Sequence, residues 1–464
     1  MREVGSIVTE LTGRIIRRGD PGYPEARKNF NLYYSKFPEA IVFCEEEKDV
    51  LNALKYVRES KVPFRVRSGR HSYQNFSLLD NGIVIDISEL NAIKVDTSKD
   101  IAVIKAGCEL GNVYQTLWQH GRTLPSGIHS SAGSTIPAGT QSSVGIAGLT
   151  LGGGIGYLSR VFGLTCDNLL NVRIAVPKGK DDVKVLEANS RKNSELFWAC
   201  CGGGGGNFGI VTEFTFRIHP IKNVSIFQAE WDFDQLETAF DSWQHWAPFA
   251  DRRLTSSIEL KAKSENTIQA LGQFLGSKDE LKKLIRPLVK NTSPRKVQVT
   301  TIPFNQAVNF FNNPAGNIPS YFKRSGAYIY KPLPNEGIKI MKRFLENAPN
   351  ENAAIWQQSL AGAVQDKAPS ETAYYHRNAL IAQEYNTRWT KDEVASRNVQ
   401  WVYSLRKHLT PYTRGNYVNW PDILIRDWPR TYYGDNFDQL RKVKTKVDPM
   451  NVFRFKQSIP PFSN

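Results

Sequence analysis

Phe64-Arg65-Val66-Arg67-Ser68-Gly69-Arg70-His71-Ser72 is the stretch on which the reading of this chain turns. Its first four residues alternate apolar and basic, as a half-buried strand does. Pro63 marks where the preceding helical pattern stops. Gly69 then permits a tight turn that presents backbone N–H groups. Arg67 and Arg70, with the hydroxyls of Ser68 and Ser72, have the chemistry to surround an anion such as a pyrophosphate. His71 adds an imidazole that is nucleophilic when neutral. The segment by itself is equally compatible with a basic surface turn carrying a hydrogen-bonded histidine.

Working outward, residues 47–60 place Val50, Leu51, Leu54 and Val57 on one helical face. Residues 82–87 and 101–106 read as strands, and 110–117 as a helix through Leu110, Val113, Tyr114 and Leu117. Glycine, serine, threonine and alanine dominate 123–156, which is the composition of a loop. Within it, Gly145-Ile146-Ala147-Gly148 and Gly152-Gly153-Gly154-Ile155-Gly156 would let backbone approach a flat ligand closely. Strands are expected at 171–176 and 210–218, with five consecutive glycines, 202–206, between them. Gly204 to Gly209 spells GxGxxG, but a strand pattern follows it instead of a helix, so a nicotinamide-type dinucleotide fold is rejected.

The texture changes after Pro220. Residues 225–233, 256–262 and 267–275 read as strands, 234–246 and 278–288 as helices. A second block repeats this with a helix at 337–347, strands at 353–361 and 378–386, and a helix at 392–408. The expected architecture is an antiparallel sheet covered by helices on one face.

The 464 residues suit two domains. A hydrophobic share of 41% and a charged share of 23% are those of a globular protein. The formal net charge of +15 is spread along the chain, with no arginine-rich tract or zinc-finger spacing, so no nucleic-acid partner is expected. Cys44, Cys108, Cys166, Cys200 and Cys201 are odd in number and irregular in spacing, which fits neither a disulfide framework nor a metal site. Cys166 is read either as a small buried hydrophobe or as a thiolate beside an electrophilic ring. No run of about 18 apolar residues suggests a membrane span. The first twenty residues lack a charged leader followed by an apolar run, so the expected location is cytoplasmic, association with a surface layer aside.

From residue 30 to 460 the chain resembles the berberine bridge enzyme-like family of FAD-linked oxidases, in particular its bacterial members. The resemblance rests on Pro38-Glu39-Ala40-Ile41-Val42, Arg67 to Tyr73, residues 82–88, Pro137-Ala138-Gly139-Thr140, Gly152 to Gly156 and Cys166-Asp167-Asn168. It continues in Phe197-Trp198 with the glycine run, Gly209-Ile210-Val211-Thr212-Glu213, Tyr417-Val418-Asn419, Tyr432-Tyr433-Gly434 and Lys446-Val447-Asp448-Pro449. It implies an α+β fold: a two-part FAD-binding domain of the vanillyl-alcohol-oxidase type at 1–222, a substrate domain with an antiparallel sheet at 223–420, and a segment at 421–464 returning to the first. By the resemblance, FAD is bound covalently, His71 linking to the 8α carbon of the isoalloxazine and Cys166 to C6. Arg67, Ser68, Gly69, Arg70 and Ser72 fall on the pyrophosphate turn. Ser143, Gly145, Ile146, Gly148, Gly153 and Val211 fall on segments lining FAD, with Ile146 at a position that gates oxygen. Tyr417 and Asn419 return to the flavin edge.

Three departures stand out. Arg70 replaces the second glycine of the RSGGH turn and is expected only to add charge near phosphate. Trp420 replaces a tyrosine that serves as a base in many members, and indole is a donor only. A short insertion spans 124–135. With Trp420 in place, the candidate bases are Glu384, Tyr417 and Tyr385. The function implied is oxidation of a small molecule (an alcohol, a sugar or a secondary metabolite), with dioxygen reoxidising the flavin to give hydrogen peroxide. The alternatives are a dehydrogenase of the same fold that uses another acceptor, and a surface-layer or coat protein that retains flavin.

Overall fold

The computed structural model describes residues 10–126, 142–311, 318–390 and 394–462. The Pro137–Thr140 motif and most of the 124–135 insertion lie outside them. A four-stranded sheet opens the fold, with strands β1 (Arg14–Arg17), β2 (Ala40–Phe43), β3 (Phe64–Arg67) and β4 (Ile83–Asp86) in the order β1-β2-β4-β3. β2, β4 and β3 run parallel, and β1 pairs antiparallel with β2. All four residues of β2 and of β4 are buried, the continuous apolar run of a strand covered on both faces. The helix Glu47–Glu59 supplies the crossover from β2 to β3, burying Val50, Ala53, Leu54 and Val57.

A second, antiparallel sheet has the order β5-β6-β10-β8-β9, from β5 (Ile93–Asp96), β6 (Ile101–Lys105), β8 (Leu169–Lys178), β9 (Asp182–Ala188) and β10 (Ile210–Arg217). A two-residue strand β7 (Arg122–Thr123) pairs with β11 (His219–Pro220). Because β10 follows Gly204–Gly209 directly, the rejection of a nicotinamide-type motif stands.

The third sheet has seven strands, all antiparallel, in the order β15-β12-β14-β13-β17-β18-β16. They are β12 (Asn223–Trp231), β13 (Leu254–Lys261), β14 (Ile268–Phe274), β15 (Lys296–Pro303), β16 (Tyr321–Ile329), β17 (Ala354–Ser359) and β18 (Ile381–Trp389). Side chains alternate between its faces. Phe227, Ala229, Trp231, Ile381 and Tyr385 pack in one core with the helices Leu236–Trp246, Lys278–Thr292, Asn335–Glu346 and Ala395–Leu409. Ile226, Phe322, Tyr328, Trp356 and Ala382 point the other way, into the core shared with the first two sheets. The expected sheet with helices on one face is therefore present.

Some elements differ from the sequence expectation. The stretch 123–156, read as loop, contains the helix Ile146–Leu151, whose small and apolar residues carry no amphipathic period to reveal it. β16 was not anticipated because Lys323 and Arg324 interrupt its apolar pattern. Both are buried and paired, Lys323 with Asp422 at 2.5 Å and Arg324 with Tyr73 at 2.9 Å.

The C-terminal helix Phe437–Val447 brings a fully buried Lys444 back to the glycine run. Its ammonium donates to the carbonyls of Asn207 (2.7 Å) and Phe453 (2.6 Å) and to Asp448 (2.7 Å). Arg160, on the short helix Ser159–Phe162, grips the third sheet. Its guanidinium donates to the carbonyls of Leu254, Pro248 and Ala250, each at 2.7 Å, and also to that of Leu360. Bonds from a charged donor are each worth about 1.5–3 kcal/mol, and buried carbonyls left without one are costly. Arg160→Met should therefore lower unfolding stability by at least about 3 kcal/mol in denaturant titration, whereas Arg252→Met, which breaks an exposed pair with Asp366, should change it by less than about 1 kcal/mol.

Candidate active site

β3 and β4 end side by side with Arg67 opposite Asp86 in register. Carboxyl ends of parallel strands are where open α/β sheets bind ligands. The Arg67 side chain does not reach outward as the sequence suggested. It is fully buried, Nε donating to Asp86 at 2.6 Å and Nη2 to the Ala26 carbonyl at 2.8 Å. Arg67 thus anchors the turn by a buried ion pair, while the residue also lines the cavity described below and its Nη1 makes no hydrogen bond. Asp86 in turn accepts from the Ser88 backbone N–H, fixing the neighbouring chain.

The turn beyond is pressed against a second segment. A Cβ on Gly69 would sit 2.1 Å from the Gly145 nitrogen, and one on Gly145 would sit 2.7 Å from the Gly69 nitrogen. Only glycine fits at either place. Arg70 adopts φ +63°, a left-handed conformation disfavoured with a side chain. That is why glycine suits this position, and it corrects the expectation that Arg70 merely adds charge. Ser68 Oγ donates to the Ala106 carbonyl at 3.1 Å, and Ser72 Oγ accepts from the Phe76 N–H at 3.1 Å, so both hydroxyls brace the turn.

A cavity of about 290 Å³ opens here. The turn Arg67–Tyr73 forms one wall, with Gly145, Gly148, Val211, Tyr417, Asn419 and Trp420 on others, joined by Gly204–Asn207 and by Arg324. His71 stands in this wall, its ring stacked on Phe30 at 4.3 Å and its Nε2 2.9 Å from Ser143 Oγ. Ser143 therefore orients the imidazole from behind. A Cβ on Gly148 would meet nothing within 4 Å, and one on Gly205 would first meet the Gly148 Cα at 3.8 Å, so two bare backbones face the open space. An extended slot with bare backbone on one side and a histidine in its wall fits a flavin dinucleotide. Ile146, fully buried, and Gly153, with φ +120° against Tyr374, support the lining without forming it.

Tyr417 Oη accepts from the Gly154 N–H at 2.8 Å and from Asn419 Nδ2 at 2.9 Å. Burial still pushes its pKa up to about 12, so the phenol stays protonated near neutrality. Trp420 meets the Tyr417 ring edge-on at 5.2 Å and packs over β16, where a Cβ on Gly326 would lie 2.7 Å from the indole.

The candidate bases separate by strand period. Tyr385 points into the helix-covered core, its hydroxyl bonded by Gln383 at 2.7 Å, and is removed from the candidates. Glu384 points the opposite way, toward the cavity wall, but Tyr73 stands between. Tyr73 Oη donates to Glu384 Oε1 at 2.7 Å and accepts from Arg324 Nη1 at 2.9 Å. Tyr73 and Arg324 line the cavity, and sequence reasoning assigned neither a role. Tyr73 had a signal, two residues past His71 in the same motif; Arg324 had none. Burial raises the pKa of Glu384, with Arg324 and the Tyr73 hydrogen bond pulling it back.

Cys166 is not among the residues that line the cavity. Its N–H donates to the Gly153 carbonyl, its carbonyl accepts from the Cys201 thiol at 3.7 Å, and Asp167 beside it is held by the buried Arg377 at 2.7 and 2.8 Å. Burial raises the thiol pKa well above its ordinary value, with Cys201 and Asp167 adding to it and Arg377 opposing. Cys166 nevertheless lies close enough to the cavity-lining Tyr417 for its charge to bear on that phenol.

Residues 38–181 match the FAD binding domain family, and residues 416–460 match the berberine and berberine like family. The FAD-linked oxidoreductase YgaK of Bacillus subtilis (strain 168) is 55% identical over 98% of this chain and 98% of its own length. Berberine bridge enzyme-like 24 of Arabidopsis thaliana is 30% identical, over 86% of this chain and 79% of its own length. Among solved structures, BBE-like 1 of Physcomitrella patens superposes with a TM-score of 0.88 at 29% identity, covering 98% of both chains.

Removing Arg67 leaves the buried Asp86 with only the Arg70 guanidinium, 3.9 Å away, as a cationic partner, so Arg67→Met should cost about 3 kcal/mol of stability. Lys178→Met, which breaks an exposed pair with Asp182, should leave stability almost unchanged. Gly148→Leu points into open space and should leave the melting temperature of the flavin-free protein unchanged while abolishing FAD uptake, measured by absorbance after reconstitution.

Proposed function

The chain belongs to the berberine bridge enzyme-like family of FAD-linked oxidoreductases, and from that premise we propose that it oxidises a hydroxyl-bearing small molecule on FAD tethered through His71. The observation that carries the reading is the placement of His71 in the cavity wall two residues from Tyr73, whose hydroxyl is bonded to the buried carboxylate of Glu384. FAD, when bound, supplies the acceptor for a hydride leaving the substrate carbon. The turn 67–73, Gly145, Gly148, Val211 and Asn419 would hold it. Dioxygen is the proposed final acceptor, giving hydrogen peroxide.

The residues of this chain handle the proton. Tyr73 faces the cavity, so a substrate hydroxyl delivers its proton to the Tyr73 oxygen as Tyr73 passes its own to Glu384 Oε1. Arg324, donating to the same phenol oxygen, stabilises the negative charge that develops there. Glu384 is thus the terminal base, acting through Tyr73. Tyr417, held neutral between two donors, positions Asn419 and the Gly154 backbone. One tether is proposed instead of the two that the resemblance implied, because Cys166 is not among the cavity-lining residues and its thiol is protonated.

Acid precipitation tests the tether: wild type and Cys166→Ala should keep the yellow colour in the pellet, and His71→Ala should release free FAD. Colour retained by His71→Ala would contradict the assignment. For the base, Glu384→Gln should keep covalent FAD but slow anaerobic flavin reduction by at least about a hundredfold. Only the ionised carboxylate accepts a proton, and its pKa is raised. The wild-type reduction rate should therefore fall as pH drops through that raised value and level off above it, a limb that Glu384→Gln should lack.

A further inference from the structure

The seven-stranded sheet has two edges, and they are treated differently. The β16 edge is covered: Ser320 beside it forms a parallel bridge with Asn31, whose amide donates to the Phe322 carbonyl at 3.2 Å. β15 ends the sheet on the other side, and among the described residues no strand continues beyond it. The Phe304 N–H donates to the Lys222 carbonyl just past the end of the β15–β12 ladder. In an antiparallel pair that bond fixes the parity: Ile302 and Val224 are a hydrogen-bonded pair, and so is every second pair along the ladder. The backbone groups of Val297, Val299 and Thr301 therefore point away from β12, as donors and acceptors that no described strand takes up.

Beside this edge lies a groove of about 400 Å³ that shares no lining residue with the cavity holding His71. Its floor is apolar, from Ile285 and Val289 of the helix Lys278–Thr292 and from Val297 and Val299 of β15. Val297 is 38% exposed, an apolar side chain left open on an edge strand. The rim is cationic. Lys278, Lys282, Arg286 and Lys290, all exposed, follow one another at four-residue steps, which sets them in one row along the helix. At a rise of about 1.5 Å per residue the row is about 18 Å long. No acidic residue lines the groove. Lys282 lies 3.7 Å from Asp279, and among the described residues Lys278, Arg286 and Lys290 enter no ion pair.

We propose that β15 is a docking edge for an acidic, extended segment of another protein, which adds to the sheet as a further strand. The outward backbone groups of Val297, Val299 and Thr301 supply the pairing, which gives affinity without regard to sequence. Side chains on one face of the incoming strand turn toward the groove. There, carboxylates meet the cationic row, and an apolar residue among them covers Val297 and Val299. At about 3.3 Å per residue, a segment of about six residues matches the length of the row. Charge rules out a second copy of this chain, because two such edges brought together would oppose one cationic row with another. Lysines beside an open edge protect it from self-pairing in this way. A nucleic acid or an anionic membrane would engage the row but has no use for the outward backbone groups or the apolar floor.

Fluorescence anisotropy on the FAD-loaded protein tests this with a labelled peptide, Glu-Thr-Glu-Thr-Val-Thr-Glu, whose alternate residues carry the acidic and apolar groups on one face. The peptide should bind, and more weakly as salt rises. The same peptide methylated at its backbone nitrogens cannot pair with an edge and should bind at least about tenfold more weakly, as should a peptide with lysine in place of each glutamate. Arg286→Glu combined with Lys290→Glu should weaken binding at least about tenfold, with flavin content and melting temperature unchanged, because both side chains are exposed. Val297→Pro removes one outward N–H and leaves the β12 ladder whole, so it should have the same effect on binding. No binding to the wild type, or equal binding of the methylated peptide, would overturn the proposal. So would tighter binding of oligothymidylate or of phosphatidylglycerol vesicles than of the peptide, since either would make the row a site for a different anion.

Discussion

The close approach of two bare backbones, Gly69 against Gly145, is the constraint on which the rest of this structure depends. A Cβ at either position would fall within van der Waals overlap of the other segment. With both absent, the turn after β3 lies flat on the segment that starts the helix Ile146–Leu151, and His71 and Ser143 come within hydrogen-bonding distance. The buried Arg67–Asp86 pair fixes the other end of the same turn. Short parallel strands, a glycine contact and one ion pair thus set a histidine in a cavity wall without a long-range scaffold of loops.

The second organising device is the two-faced sheet. Its strands alternate strictly, so one face builds a hydrophobic core with four helices and the other presents Glu384, Arg324 and their polar neighbours to the cofactor domain. Buried ions are retained against a steep desolvation cost, and of those on this face Arg324 lines the cavity itself. Arg160 donates to carbonyls around β13, Lys323 on β16 pairs with Asp422, and Arg377 grips Asp167, each by bonds to residues distant in sequence.

How much of this was legible follows from what sequence patterns encode. Period and breakers located the helix Glu47–Glu59, strand β3 and the turn beyond it, because each obeys a local rule. The helix Ile146–Leu151 was missed because glycine, alanine and threonine leave no periodic trace. β16 was missed because its buried charges are satisfied only by residues far along the chain. At the site, the position of His71 beside the turn and of Glu384 on a strand was readable from the sequence. That Arg67 pairs with Asp86, that Tyr385 faces the helices and that Cys166 is not among the cavity-lining residues are facts of packing, which residue identity alone does not carry.

The tether to His71 is the central claim, and peptide mapping tests it most directly. After denaturation and peptic digestion, mass spectrometry should find the flavin mass on the peptide containing His71 and on no peptide containing Cys166. Flavin recovered free, or attached to the Cys166 peptide, would contradict the account.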